Sequence, residues 1–176
     1  MAQTFPATKA DQERPYTLLS IGGHALLMPQ SEIRTLAPIQ DISLVGQRAS
    51  GMVGWLPFAG RRWPVYCLDE ALHPLPHLLP GQRLCALVKL NASYFGLVCA
   101  HVAIVPGSAV RIWPVPAAMA MPDSPFQGLS RHANSVALVS TAAALAALLG
   151  VNEAAEPTRR HSHGPAAPGT LPLLRE

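Results

Sequence analysis

The stretch Gly54–Asp69, GWLPFAGRRWPVYCLD, decides how the rest of the chain is read. It opens on a glycine, carries a second at Gly60, and places Arg61 and Arg62 directly after it. Trp63, Pro64, Val65, Tyr66, Cys67 and Leu68 follow. Aromatic and β-branched residues suit a half-buried pleated surface. A glycine followed by two arginines suits a tight turn with a solvated tip. The expected unit is a β-hairpin: strand over Met52–Phe58, turn at Ala59–Arg61, strand over Arg62–Leu68. Pro64 cannot donate to a ladder, so an edge, a bulge or a strand beginning is expected there. Along Met52–Phe58, Trp55 and Pro57 share one face and Leu56 and Phe58 the other. Apolar groups on both faces fit a strand covered on both sides.

Composition sets the outer limits. The chain has 176 residues, enough for one ordinary domain. Apolar residues make up 49% and charged ones 13%, so a core can form while the surface is poor in charge. Two explanations stay open: an outside partly covered by a partner, or a background rich in alanine and proline. The net charge of +3 is too small to imply nucleic acid, and Lys9 and Lys89 are the only lysines. Cys67, Cys85 and Cys99 all sit in apolar runs. An odd number in strand-like segments reads as buried thiols in a reducing compartment, not a disulfide frame. The first residues, MAQTFPATKADQERP, hold no signal core. The apolar run 135–149 falls short of the roughly 20 residues that a membrane span needs. A soluble, cytoplasmic protein without membrane insertion is expected.

Outward from the hairpin, residues 1–14 read as a flexible arm. Tyr16–Ile21 and His24–Met28 read as strands joined at Gly22-Gly23. Ser31–Leu36 is either a short helical turn capped by Ser31 or a continuing strand. Residues 39–50 and 70–80 read as loops, the second broken by Pro74, Pro76 and Pro80. Gln82–Leu90 and Tyr94–Val105 form a second pair of strands, the latter as one long arm. Phe126–Ser140 reads as a last hairpin turning near His132–Asn134. Thr141 then caps a helix over Ala142–Leu149 that Gly150 stops. Residues 151–176 read as a disordered tail. Many short strands and one terminal helix predict an all-β barrel architecture in which the second half repeats the first.

Candidate chemistry is sparse. His73 and His77 have the spacing of a helical metal pair, but Pro74 and Pro76 exclude the helix, so no metal is expected. His161 and His163 lie in the tail and read as solvated. Cys99 and His101 would share a strand face. They lack an orienting carboxylate, and apolar surroundings raise a thiol pKa, so they read as core. No carboxylate pair and no phosphate-binding glycine loop appears, and no enzyme activity or cofactor is expected. Trp55, Trp63 and Trp113 read either as interface anchors or as core; Trp55 is the one expected to be partly exposed.

The ordered set of Gly54, Gly60, Pro64-Val65, Tyr66 and Leu68 resembles the signature of the CheW-like domain, the adaptor family of bacterial chemotaxis. Tyr16–Leu36, Arg83–Val105 with Tyr94-Phe95-Gly96-Leu97-Val98, and Phe126–Leu149 resemble its other segments in the same order. The resemblance spans residues 16–149. It implies all-β architecture with a short C-terminal helix, as two SH3-like five-stranded β-barrels around a shared core. It also implies a non-catalytic adaptor. The implied partners are the regulatory domain of a chemosensory histidine kinase and the cytoplasmic tip of a methyl-accepting chemoreceptor. The groove between the barrels would take the receptor, and strand-edge faces the kinase. The candidate groove residues are Leu36, Leu56, Phe58, Ala59, Arg61 and Arg62. Several positions depart from the family pattern. Ala59 stands where an arginine is usual, and Cys67, Ala100 and Ser140 stand where aspartates are. The two arginines after Gly60 would supply the missing positive charge. A degenerate module that serves another two-component or pilus-control partner, without receptor coupling, is the alternative.

Overall fold

In the first strand, β1 (Tyr16–Ile21), every second side chain is buried: Thr17, Leu19 and Ile21. This is the period-2 burial of a strand packed on one face. β2 (His24–Pro29) pairs with it antiparallel, from Tyr16 opposite Pro29 to Ile21 opposite His24. Gly22 and Gly23 make the turn at φ +56° and +82°. The computed structural model describes residues 14–45, 51–91, 93–119 and 124–151. The expected arm up to residue 13 and the tail from residue 152, with His161 and His163, lie outside the described residues.

Further along come β3 (Ile33–Pro38), β4 (Ser43–Leu44), β5 (Met52–Phe58), β6 (Arg61–Leu68) and β7 (Pro74–Leu75). β8 (Leu84–Leu90), β9 (Ser93–Cys99), β10 (His101–Val105) and β11 (Ile112–Trp113) follow. β12 (Gly128–His132), β13 (Ser135–Val139) and the helix α1 (Ala142–Leu149) complete the set. The fold is mostly β with one short C-terminal helix, as expected. One sheet runs β10-β1-β2-β13-β12-β11 and the other β3-β8-β9-β6-β5-β4, with β7 attached to β6. The ladders describe two sheets with six strands on each path, where the resemblance implies five per barrel.

Four expectations need correction. The second half does not repeat the first. β13 returns to pair in parallel with β2, so the N- and C-terminal strands build the first sheet and the middle of the chain builds the second. Residues 94–105 are not one arm. The chain bends at Ala100, whose N–H donates to Ser20 O at 2.9 Å, and β9 and β10 enter different sheets. Ser31–Leu36 is both of its alternatives in part, a single 3-10 turn at Gln30–Glu32 followed by β3. Pro64 sits inside β6, an interior strand. The parallel ladder to β9 starts at Val65, so the proline precedes the pairing on that side.

The sheets face each other across one apolar layer. Leu19, Ile21, Leu26 and Met28 come from the first sheet, and Tyr66, Leu68, Ala86, Val88, Phe95, Leu97 and Cys99 from the second. Ala142, Leu145 and Ala146 of α1 close it. The opposite face of the second sheet packs Val53, Leu56, Trp63, Val65, Cys67, Cys85, Leu87 and Val98. The opposite face of the first packs Leu27, Val105, Ala137 and Val139.

Backbone polar groups fasten the joints. Thr141 Oγ1 accepts from the Ala144 N–H at 3.3 Å, and Gly150 adopts φ +63° beyond the helix. Glu32 Oε2 accepts from the Ala142 N–H at 2.6 Å, tying the turn before β3 to the first residue of α1. At the other end, the Gly22 backbone lies against the Asp69 carbonyl, which a Cβ on Gly22 would strike. His24 Nε2 donates to Glu70 O at 2.6 Å. Asp69 Oδ1 accepts from the N–H groups of Ala71 at 2.9 Å and His73 at 2.8 Å, which shapes the turn that receives the glycines.

Two predictions follow from these joints. Gly22→Ala combines a left-handed φ with a backbone clash and should cost about 2–4 kcal/mol. Gly60→Ala, at φ +75° with nothing near its Cβ position, should cost only about 1 kcal/mol. Urea unfolding measures both, and equal costs would contradict the clamp. Burial raises the Glu32 carboxyl above its ordinary 4.5, partly opposed by the Ala142 N–H. The folded state therefore holds the proton more tightly than the unfolded chain. Stability should fall as pH rises from about 4.5 through the raised value, and level off beyond it. Glu32→Gln keeps an acceptor but removes the charge, so it should gain on the wild type as pH rises. A pH-independent difference between the two would contradict this.

Candidate docking surface

Register fixes what the β5–β6 hairpin shows to solvent. Leu56 opposes Trp63, Pro57 opposes Arg62 and Phe58 opposes Arg61. Directly opposed residues share a face. Leu56, Phe58, Arg61 and Trp63 therefore point to one side, and Trp55, Pro57, Arg62 and Pro64 to the other. Ala59 and Gly60 form the turn, both left-handed, at φ +51° and +75°.

An aromatic stack stiffens the first side. The Phe58 and Trp63 rings meet edge-on with centroids 5.8 Å apart, and Trp63 and Tyr94 lie 5.1 Å apart. Trp63 Nε1 donates to Phe58 O at 3.2 Å, so the buried indole keeps its polar group satisfied. The Arg61 guanidinium lies 5.6 Å from the Tyr94 ring centre, and on the opposite side Arg62 lies 5.3 Å from that of Trp55. Such pairs hold a guanidinium in place without neutralising it. Among the described residues, the recorded ion pair is His73–Asp69 at 3.7 Å, and no arginine or lysine meets a carboxylate. The tip therefore presents two oriented, uncompensated positive charges on an aromatic base. It suits a carboxylate-bearing protein surface.

The six residues expected to line a groove do not form one cluster. Phe58, Ala59, Arg61 and Arg62 gather at the hairpin tip, with Phe58 half-buried and the other three exposed. Leu56 is 2% exposed and belongs to the core beneath Trp63, so it supports the surface without being part of it. Leu36 is 43% exposed but lies on β3, three ladders from β6. That separation is roughly 14 Å. Trp55 is partly exposed, as expected. Tyr94 and Lys89, opposed across β8 and β9, extend the basic–aromatic surface. Sequence reading passed over them because the β6–β9 contact that brings Tyr94 to Arg61 joins distant parts of the chain.

The thiols are core groups. Cys99 donates to Leu84 O at 3.6 Å, while His101 is exposed at the start of another strand. Burial pushes both Cys85 and Cys99 up to about 12, and raises Cys67 as well. A nucleophilic cysteine would need the opposite shift.

The sequence matches no protein-family model and no curated protein. In structure, the chain is similar to the scaffolding protein TtCheW from Thermoanaerobacter tengcongensis. The TM-score is 0.52 at 12% identity, covering 72% of this chain and 88% of that one. The chain thus has the CheW fold.

The thiol environment carries its own test. At pH 8 only roughly one in ten thousand Cys85 or Cys99 thiols should be ionised. In the native protein an aromatic disulfide reagent should label all three cysteines at least about a hundredfold slower than free cysteine. All three should titrate promptly in denaturant, and one fast thiol in the folded state would contradict the assignment.

Proposed function

We propose that this chain is a CheW-like scaffold that links a chemosensory histidine kinase to a receptor, in chemotaxis or twitching motility. The fold carries this reading, because it extends over most of both chains in the comparison with TtCheW. On this reading the two sheets are the two SH3-like barrels of that fold. The protein acts in the cytoplasm as a non-catalytic coupling element. No helix among the described residues is long and apolar enough to cross a membrane. The kinase regulatory domain and the receptor's cytoplasmic tip are its partners, and the receptor meets the Phe58–Arg62 tip through its carboxylates.

A second reading is a degenerate module that serves another two-component or pilus-control partner. Ala59, left-handed at the exposed tip, and Cys67, buried in the core, favour it, since they stand where the resembling family carries charge. Titrating the full chain separately with a kinase regulatory domain and a receptor tip separates the two. The scaffold reading expects both to bind, and Arg61→Glu with Arg62→Glu to weaken receptor binding by about tenfold or more. Kinase binding alone supports the second reading. Binding of neither overturns the scaffold reading, and binding of both overturns the second.

A further inference from the structure

A row of apolar side chains crosses five of the six strands of the first sheet, one from each of β1, β2, β13, β12 and β11. Leu19 opposes Leu26, Leu26 opposes Leu138, Leu138 opposes Leu129 and Leu129 opposes Trp113. The row starts in the layer between the sheets, where Leu19 and Leu26 are 0% and 3% exposed. It ends in solvent, with Trp113 48% exposed. The next residues on the same face are Arg131 and Val136, directly opposed, and Val136 is 63% exposed. Together with Trp113 and Leu129 they line a hollow of about 390 Å³. The inter-sheet core therefore runs out from under its cover and continues as an open apolar surface at β11–β13.

The charge at this surface has one sign. Arg131 lines the hollow and Arg111 directly precedes β11, while no carboxylate lines it among the described residues. Glu32 and Asp69 are engaged elsewhere, on the N–H groups of Ala142 and of Ala71 and His73. Pro114 follows β11 directly and blunts the edge against strand addition, so an occupant lies on the face.

We infer that the β11–β13 face is a second docking site, taking a segment of another protein that presents apolar side chains flanked by carboxylates. Its apolar groups fill the hollow against Trp113, Leu129 and Val136, and its carboxylates meet Arg131 and Arg111. The site lies on the other sheet from the hairpin tip, and the inference holds whether or not that tip binds a receptor.

The test uses the full chain and two synthetic peptides, acetyl-Glu-Leu-Glu-Phe-Glu-Val-Glu-amide and its counterpart with lysine for glutamate. The acidic peptide should bind with a Kd of about 10–300 μM and shift the Trp113, Leu129 and Val136 resonances in nuclear magnetic resonance spectra. Arg131→Glu should weaken it by about tenfold, Trp113→Ala by a similar factor, and the lysine peptide should not saturate. Both residues are exposed, so the variants should keep the wild-type circular dichroism spectrum. The site is overturned if the acidic peptide does not saturate by about 2 mM, or if both peptides bind alike. Binding that ignores Arg131→Glu, or shifts that map to Arg61 and Arg62, overturns it as well. A self-association that Trp113→Ala abolishes would assign the face to a second copy of the chain and overturn it too.

Discussion

Burial of one apolar layer between two sheets is the constraint that everything else obeys. Each sheet takes strands from separate parts of the chain, so neither face is covered until the other sheet arrives. Phe95, Leu97 and Val88 on one side need Leu19, Ile21 and Met28 on the other. Burial of side chains this size is worth about 1.5–3 kcal/mol each before ordering costs are subtracted. The glycine turn against Asp69 and the Glu32 bond to α1 fix the spacing at two places. The β5–β6 tip is thereby held out on a rigid base, since its own strand Arg61–Leu68 is rooted in both cores.

Local signals were legible wherever a single turn or cap decides the backbone. Gly22-Gly23, Gly60, Thr141 and Gly150 each sit where their chemistry places them. The β5–β6 hairpin follows from the residues between Gly54 and Asp69, and Pro64 is tolerated for a reason that its missing N–H anticipates. What escaped was long-range pairing. Nothing in Ser135–Val139 announces a parallel partner more than a hundred residues earlier in β2. The bend at Ala100 is hidden in a nearly continuous apolar run, because both of its arms are strands, in different sheets.

The candidate site divides along the same line. Turn chemistry alone marks out Ala59, Arg61 and Arg62. Leu56 lies in the core, and a strand apolar on both faces does not say which of its side chains will be buried. Leu36 is misplaced because its distance from the hairpin depends on the order β3-β8-β9-β6. Tyr94 could not be tied to Arg61 before that order was known. On a β protein the residues of a turn are thus legible in the sequence, and those that the ladders bring together are not.

If the shared layer joins the sheets into one unit, neither can open alone. Native-state hydrogen exchange across a denaturant series measures this directly. The slowest amides of β1 and β2 and those of β8 and β9 should converge on a single opening free energy with a single denaturant slope. If the middle-of-chain sheet kept its protection while the terminal strands exchanged through a separate, cheaper opening, the account of a common core would be contradicted.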